Sequence, residues 1–168
     1  FRRVLFRSES LGLLVEEQRT NSIRNNTMVG AVAGTPGTNP TNWFAYGPSG
    51  ITKSIIGTGT ENGVTYVDIR LQGTPTSSGT YSVISEPGNS IAAATGQTWT
   101  LSSWVKVAAG STTNVTSPVL FFDENTSANT YITGGQSSIS FTSDFVRYSA
   151  TRTLSGGATV AFVTGGVR

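Results

Sequence analysis

The stretch Gln97-Thr98-Trp99-Thr100-Leu101-Ser102-Ser103-Trp104-Val105-Lys106-Val107 carries the clearest fold signal in the chain. Its residues alternate between two faces, which would carry Trp99, Leu101, Ser103, Val105 and Val107 on one side and Thr100, Ser102, Trp104 and Lys106 on the other. A period of two is typical of a strand that buries one face. The stretch therefore predicts a long strand with Trp104 and Lys106 facing outward.

The same alternation recurs in Val64–Leu71, which places Val67, Ile69 and Leu71 on one face and Tyr66, Asp68 and Arg70 on the other. Further strands are predicted at Ile51–Ile56, Gly79–Ser85, Ile91–Ala94, Val115–Phe122, Tyr131–Thr133, Ser137–Phe141, Phe145–Leu154 and Ala158–Val163, the last two as a hairpin. About ten short strands separated by turn residues, with no convincing helix, predict an all-β fold. We expect an antiparallel β-sandwich of the jelly-roll type.

Two stretches have loop chemistry instead. Residues 25–50 are dense in Gly, Pro, Asn and Thr, and the aromatic residues within 43–46 predict that this loop packs down on the body of the protein. Asp123–Asn129 is predicted to be a polar loop. The sequence stops within a strand-like pattern, so we expect the sandwich to lack its last one or two strands.

Composition excludes several classes of function. The 168 residues include no cysteine and no histidine, which removes disulfides, thiolate zinc sites and the commonest general base. No apolar run approaches the ~20 residues of a membrane span, so membrane insertion is not expected. Of the nine acidic residues only Asp68 falls on a predicted sheet face, whereas a glycosidase needs two facing carboxylates. We therefore expect no enzyme activity.

The basic character of the chain is concentrated at its start. Arg2 to Ser8 can be back-translated, frame for frame, into the end of a common sequencing adapter, so we interpret Phe1–Ser8 as an artefact in a metagenomic fragment. Without its three arginines the chain carries eight basic and nine acidic residues, a net charge of −1 instead of +2. Nucleic acid is then not an expected partner. Residues 9–24 are interpreted as a linker, and residues 25–168 as the truncated jelly roll.

Five outward side chains are the candidate ligand-binding residues: Tyr66, Asp68, Arg70, Trp104 and Lys106. A sugar face stacks on an aromatic ring while nearby polar groups bind its hydroxyls, so these residues would form a binding platform if their two strands are neighbours. The alternative is that Tyr66 and Trp104 pack under the 43–46 loop or against another domain. No cofactor is expected, although Asp123, Glu124 and Asn125 offer oxygen ligands that would suit a structural calcium ion.

Several motifs resemble those of known proteins. Residues 12–21, Gly-Leu-Leu-Val-Glu-Glu-Gln-Arg-Thr-Asn, resemble a lead-in that is common in tailed-phage virion proteins, where it precedes a jelly-roll domain. Residues 96–106 resemble the "G-Q-x-Y-T-L-S-x-x-V-K" strand of carbohydrate-binding modules of the family 4/9 type. Residues 145–151 are similar to their "W-x-R-x-S-x-T" strand, with Phe145 in place of Trp, and residues 23–43 look like their opening strand and loop. The resemblance implies a jelly roll over most of residues 12–154.

By analogy, the resemblance also implies sugar binding without cleavage. We therefore expect a non-catalytic carbohydrate-binding-module-like domain of a phage tail or tail-fibre protein, extracellular on the virion, that binds host-surface polysaccharide. The alternative is a purely structural virion module whose outward aromatic residues contact other virion subunits, for example in a homotrimer of the full-length protein.

Overall fold

The computed structural model describes residues 4–5, 14–15, 20–88, 90–157 and 161–168. Within these ranges the chain forms twelve β-strands and no α-helix. The strands are β1 (Val4–Leu5), β2 (Leu14–Val15), β3 (Trp43–Tyr46), β4 (Ile51–Glu61), β5 (Val64–Gly73), β6 (Ser82–Ser85), β7 (Ile91–Ala92), β8 (Thr98–Val105), β9 (Val119–Asn125), β10 (Tyr131–Ser138), β11 (Val146–Thr153) and β12 (Phe162–Val167). The all-β prediction is confirmed.

The larger sheet forms one layer of the fold. Its strands follow the order β10-β9-β12-β6-β3, every neighbouring pair is antiparallel, and β7 also pairs with β12. Strand β9 lies between two partners, and six of its seven residues are buried. The apolar sequence of Val119–Phe122 therefore occupies a covered position, as a strand packed on both faces requires.

The second layer consists of β8 and β11, paired along their full length from Thr98↔Thr153 to Val105↔Val146. Trp99 and Leu101 point inward and pack against a core that includes Phe122 and Val163 of the larger sheet. Trp104, on the opposite face, is 46% exposed. The two antiparallel sheets pack face to face as a β-sandwich, and the predicted assignment of Trp99 and Leu101 inward and Trp104 outward is confirmed.

Strands β4 and β5 form a separate hairpin, turned by Asn62 and Gly63. Both turn residues have positive φ, at 52° and 78°, which is why Asn-Gly is favoured in such a turn. Near the middle of β4 the hairpin is bridged to the preceding loop through Gly34↔Ile55. Within the described residues, β4 and β5 do not pair with β8 or β11, so the hairpin is not part of that sheet.

Some predicted element boundaries are wrong. Trp43–Tyr46 is the edge strand β3 and not a loop, and residues 123–125 are the end of β9 and not part of a polar loop. The predicted hairpin of Phe145–Leu154 with Ala158–Val163 does not form, because β11 pairs with β8 whereas β12 lies between β9 and β6. The two segments are adjacent in sequence, but each of them pairs with strands that lie further away in the chain.

The start of the chain falls largely outside the described residues. This applies to most of Phe1–Ser8 and of the predicted linker at 9–24, and residues 158–160 are also outside. Ahead of β3, Arg24 is fixed to the sandwich by Glu86, which is fully buried. The Arg24 guanidinium contacts Glu86 Oε2 at 2.6 Å, and the backbone N–H of Arg24 donates to Oε1 at 2.7 Å. This contact between the exposed Arg24 side chain and the buried Glu86 carboxylate anchors the incoming segment.

Candidate functional site

Two of the five predicted ligand-binding residues, Tyr66 and Lys106, come together around a third residue, Phe145. The Tyr66 and Phe145 ring centroids are 5.6 Å apart, and Lys106 Nζ lies 4.8 Å from the Phe145 centroid. Lys106 also forms an ion pair with Glu61 at 2.5 Å, and this hydrogen bond raises the pKa of Lys106. The cluster therefore holds the tip of the β4–β5 hairpin on the end of β8–β11, so these two side chains are engaged within the fold.

Tyr66 is further constrained by its partner strand. It lies opposite Gly59, and a Cβ on that glycine would be 2.6 Å from the Tyr66 hydroxyl oxygen. Asp68 and Arg70 follow on the same face of β5, opposite Gly57 and Ser54 of β4. The predicted platform required β5 and β8 to be neighbours in one sheet, and they are not.

Trp104 lies on the outer face of β8–β11, opposite Arg147. This face is a row of hydroxyl side chains that bond to one another across the two strands. Thr98 and Thr153 are joined at 2.9 Å, Thr100 and Thr151 at 2.8 Å, and Arg147 Nη2 donates to Ser102 Oγ at 3.0 Å. Trp104 therefore stands at the end of a row of polar side chains on this face.

An open, shallow depression lies on the opposite side of the molecule, on the outer face of the larger sheet. Phe122 and Glu124 of β9 point inward to the core and to Arg152, so the strand's alternation turns Phe121 and Asp123 outward. The cleft has a volume of about 400 Å³ and is lined by Asp123, Tyr131, Gly134, Gly135, Gln136 and Arg168. We refer to this site as the outer cleft.

An ion pair forms one wall of the outer cleft. Arg168 Nη2 lies 3.2 Å from Asp123 Oδ1 and 3.1 Å from Oδ2, and the guanidinium carbon is 3.6 Å from the centroid of the Phe121 ring. Burial raises the pKa of Asp123, and the neighbouring Arg168 opposes that shift without cancelling it. The Phe121 ring and the Asp123 carboxylate therefore both hold the Arg168 guanidinium in place on the sheet.

Glycine and tyrosine shape the rest of the outer cleft. Gly134 lies opposite Asp123, and a Cβ there would be 2.5 Å from Asp123 Oδ1 and 3.4 Å from the Tyr131 ring. The absence of a side chain at Gly134 therefore leaves room for both the carboxylate and the ring. Tyr131 is 59% exposed, so its ring is open to an incoming molecule. Gln136, opposite Phe121, adds an amide that can both donate and accept hydrogen bonds.

The outer face carries exposed aromatic side chains at its other edge as well. Phe44 and Tyr46 of β3 are about half exposed, with ring centroids 5.7 Å apart. By register Phe44 lies opposite Ile84, which lies opposite Gly166, so these residues share the face of Asp123. From β10 to β3 there are four strand intervals, which corresponds to about 19 Å. The face thus has aromatic rings at both edges.

Sequence reasoning missed this site for a physical reason. Asp123 was predicted only as a calcium ligand in a loop, and Tyr131, Gln136 and Arg168 were not singled out. The contact of Asp123 with Arg168 spans 45 residues, and no local pattern indicates it. The pair Gly134-Gly135 falls between two strands that the sequence predicts, Tyr131–Thr133 and Ser137–Phe141, whereas the structure places it inside the single strand β10, where glycine often marks a close approach.

Two of the three candidate calcium ligands, Asp123 and Glu124, are engaged in other contacts. Asp123 is held by Arg168, and the fully buried Glu124 accepts hydrogen bonds from Arg152 and from two backbone N–H groups, those of Ser155 and Gly156. In the described part of the chain, no three acidic side chains come together as metal ligands do. Two buried side-chain donors there have no hydrogen-bond partner, Asn125 Nδ2 and Arg168 Nε, and both belong to the outer face.

Comparison of the chain with protein-family models, with curated proteins and with solved structures found no match. Over the described residues, the chain contains no helix with the length and apolar character needed to cross a membrane.

Proposed function

We propose that the chain is a non-catalytic carbohydrate-binding domain of a phage tail or tail-fibre protein, and that it binds host-surface polysaccharide in the outer cleft. The observation that carries this proposal is the combination of an exposed ring, Tyr131, with an ion pair and an amide around a glycine floor. An aromatic ring stacks on the apolar face of a sugar, and a few fixed polar groups bind the hydroxyls.

The surroundings of the site support a polymeric ligand. The outer cleft itself, at about 400 Å³, has room for one small ligand, and the same sheet face carries further exposed rings at Phe44 and Tyr46. A polysaccharide can continue across such a face, whereas a compact ligand would use only the cleft.

The number of carboxylates in the outer cleft supports binding without cleavage. Among the described residues that line the outer cleft, Asp123 is the one carboxylate. Glycoside hydrolysis normally uses two carboxyl groups that face each other across the scissile bond. Glu124, the adjacent acid, points to the opposite face, where Arg152 holds it.

A structural virion module is the second candidate, and the β4–β5 hairpin favours it. Exposed apolar side chains occur in the hairpin and in the loop bridged to it, namely Val32, Ile56 and Leu71. A two-stranded ribbon has edges with few backbone partners, and within the described residues the outer edge of β4 is paired through the Gly34–Ile55 bridge; such edges are common sites of subunit contact. In this case the hairpin would bind another virion subunit, and the outer cleft would have no glycan ligand.

Calorimetric titration of the 168-residue chain against a panel of bacterial surface polysaccharides tests the first candidate. Calorimetry is preferable to tryptophan fluorescence because none of the cleft-lining residues is a tryptophan. We expect saturable binding that Tyr131→Ala and Gln136→Ala weaken at least tenfold. The matched control is Trp104→Ala, which removes an exposed ring from the opposite side of the sandwich.

Three results would contradict the outer cleft as a glycan site. If Trp104→Ala alone abolished binding, the site would lie on β8–β11, as the sequence predicted. If Tyr131→Ala and Trp104→Ala were both without effect, the glycan would bind elsewhere. A folded chain that bound no polysaccharide would favour the structural module, and sedimentation of Ile56→Asp and Leu71→Asp variants would then test the hairpin as a subunit contact.

A further inference from the structure

We propose that the outer cleft selects uncharged glycans and discriminates against acidic ones, an inference that rests on the proposed function. The reason is that the positive charge of the cleft is already neutralised. Arg168 is the only cationic residue among those described as lining it, and one of its nitrogens contacts both oxygens of Asp123. The side chains of the lining therefore carry no net formal charge with which to attract an anion.

Asp123 has little freedom to move aside for an incoming anion. Its carboxylate rests against Gly134, so closely that a single added carbon there would approach Oδ1 to 2.5 Å. Its side chain is 18% exposed, and the arginine that holds it lies over Phe121. A uronate or phosphate that reached Arg168 would lie next to this fixed carboxylate, and repulsion between like charges is strong where solvent is partly excluded.

The remaining polar groups suit hydroxyls. The Tyr131 hydroxyl and the Gln136 amide are neutral, and both can donate and accept hydrogen bonds. Asp123 can accept from one sugar hydroxyl, and Arg168 can donate to a neighbouring oxygen. A neutral hexose polymer supplies adjacent groups of both kinds without adding charge.

The test uses one polysaccharide in two forms. An acidic bacterial polysaccharide that contains uronic acid is compared with its carboxyl-reduced derivative, which has the same linkages and no charge. Calorimetry on the 168-residue chain should give an affinity about tenfold or more higher for the reduced form. Affinity for the reduced form should also be nearly independent of salt, because no net charge is paired on binding.

Asp123→Asn keeps the shape of the side chain and frees Arg168. We expect this variant to bind the acidic form more tightly than the unmodified chain does, so that the preference for the reduced form falls to near parity or reverses. The control is Asp144→Asn, which changes the net charge of the protein equally at an exposed position outside the cleft and should leave the preference unchanged.

The outcomes separate this inference from the proposed function. Equal or tighter binding of the acidic form by the unmodified chain overturns the selectivity and leaves carbohydrate binding intact, and this result needs no variant to fold. An unchanged preference in a folded Asp123→Asn variant also overturns it. If the folded chain binds neither form of the polysaccharide, nor any other glycan in the panel, the proposed function itself is overturned.

Discussion

Glu124 of β9 and Arg152 of β11 join the two layers of the sandwich through its interior. Arg152 Nε donates to Glu124 Oε1 at 2.6 Å, while the other carboxylate oxygen accepts from the backbone N–H groups of Ser155 and Gly156 at 3.0 and 2.8 Å. Glu124 is fully buried, and Arg152 also reaches Thr133 of β10. The pair therefore fixes how β11 lies on β9 and β10.

Glu124→Gln should lower the free energy of unfolding by about 2 kcal/mol, because the partly buried Arg152 then loses its counter-charge and two backbone N–H groups lose an anionic acceptor. Urea unfolding followed by far-UV circular dichroism measures the loss. Glu61→Gln is the control, since it removes an acid from the partly exposed pair with Lys106, and we expect a much smaller change. Equal losses in the two variants would contradict a special role for the inter-layer pair.

The two adjacent acids should give stability profiles of opposite sign. Burial alone would raise the pKa of Glu124, but hydrogen bonds from Arg152 and from two backbone N–H groups outweigh it and leave the pKa below the ordinary 4.5. Its contribution is therefore present above that pH and is lost as the pH falls through the lowered pKa. For Asp123, burial raises the pKa above the ordinary 3.8, so ionisation as the pH rises disfavours the folded state.

Free energies of unfolding measured between about pH 2 and pH 7 check both signs. The advantage of the unmodified chain over Glu124→Gln should grow as the pH rises. Its advantage over Asp123→Asn should shrink over the same range. Parallel profiles for the two variants would show that the two environments do not differ as described.

The strand faces were predictable from the sequence, but the strand partners were not. The alternation around Trp99 and Trp104 is a local property, and it assigned each ring to the correct side of the sheet. Pairing depends on distant segments, so the adjacency of β11 and β12 wrongly suggested a hairpin. Asp123 and Glu124 resemble loop residues in the sequence because they are charged. Their positions in a buried strand are stabilised by arginines that are distant in the chain, 45 residues from Asp123 and 28 residues from Glu124.

Gly134→Ala should damage the outer cleft. The new methyl group would meet Asp123 Oδ1 at 2.5 Å and the backbone oxygen of Phe122 at 2.8 Å, and the backbone atom cannot easily give way. We expect a loss of about 1–3 kcal/mol in unfolding free energy and weaker binding of glycan. Thermal unfolding and calorimetric titration measure the two effects.

Gly57→Ala is the matched control, because it is also a strand glycine but a Cβ there meets no atom within 4 Å. Since alanine restricts the unfolded chain more than glycine does, this variant should be unchanged or slightly more stable. If both glycine variants behaved alike, the close approach of Asp123 to Gly134 would not constrain the protein.

The two tryptophans of β8 should differ in their contribution to stability, because Trp99 is partly buried against the core and Trp104, five residues further along the strand, is on the outer face. Trp99 packs against Phe122, Leu154 and Val163, whereas Trp104 is 46% exposed. Trp99→Ala should therefore lower the free energy of unfolding by about 3 kcal/mol. Trp104→Ala should change it by less than about 0.5 kcal/mol.

Urea unfolding of both variants measures this difference, and glycan titration of Trp104→Ala adds a functional readout. With the ligand in the outer cleft, Trp104→Ala keeps its affinity, since the ring lies on the other sheet. A folded Trp104→Ala protein that no longer bound glycan would return the site to β8, where Arg147 and the hydroxyl row would supply the polar contacts. An unfolded one would instead mean that the exposed ring supports the fold, and the assignment of the two faces of β8 would be wrong.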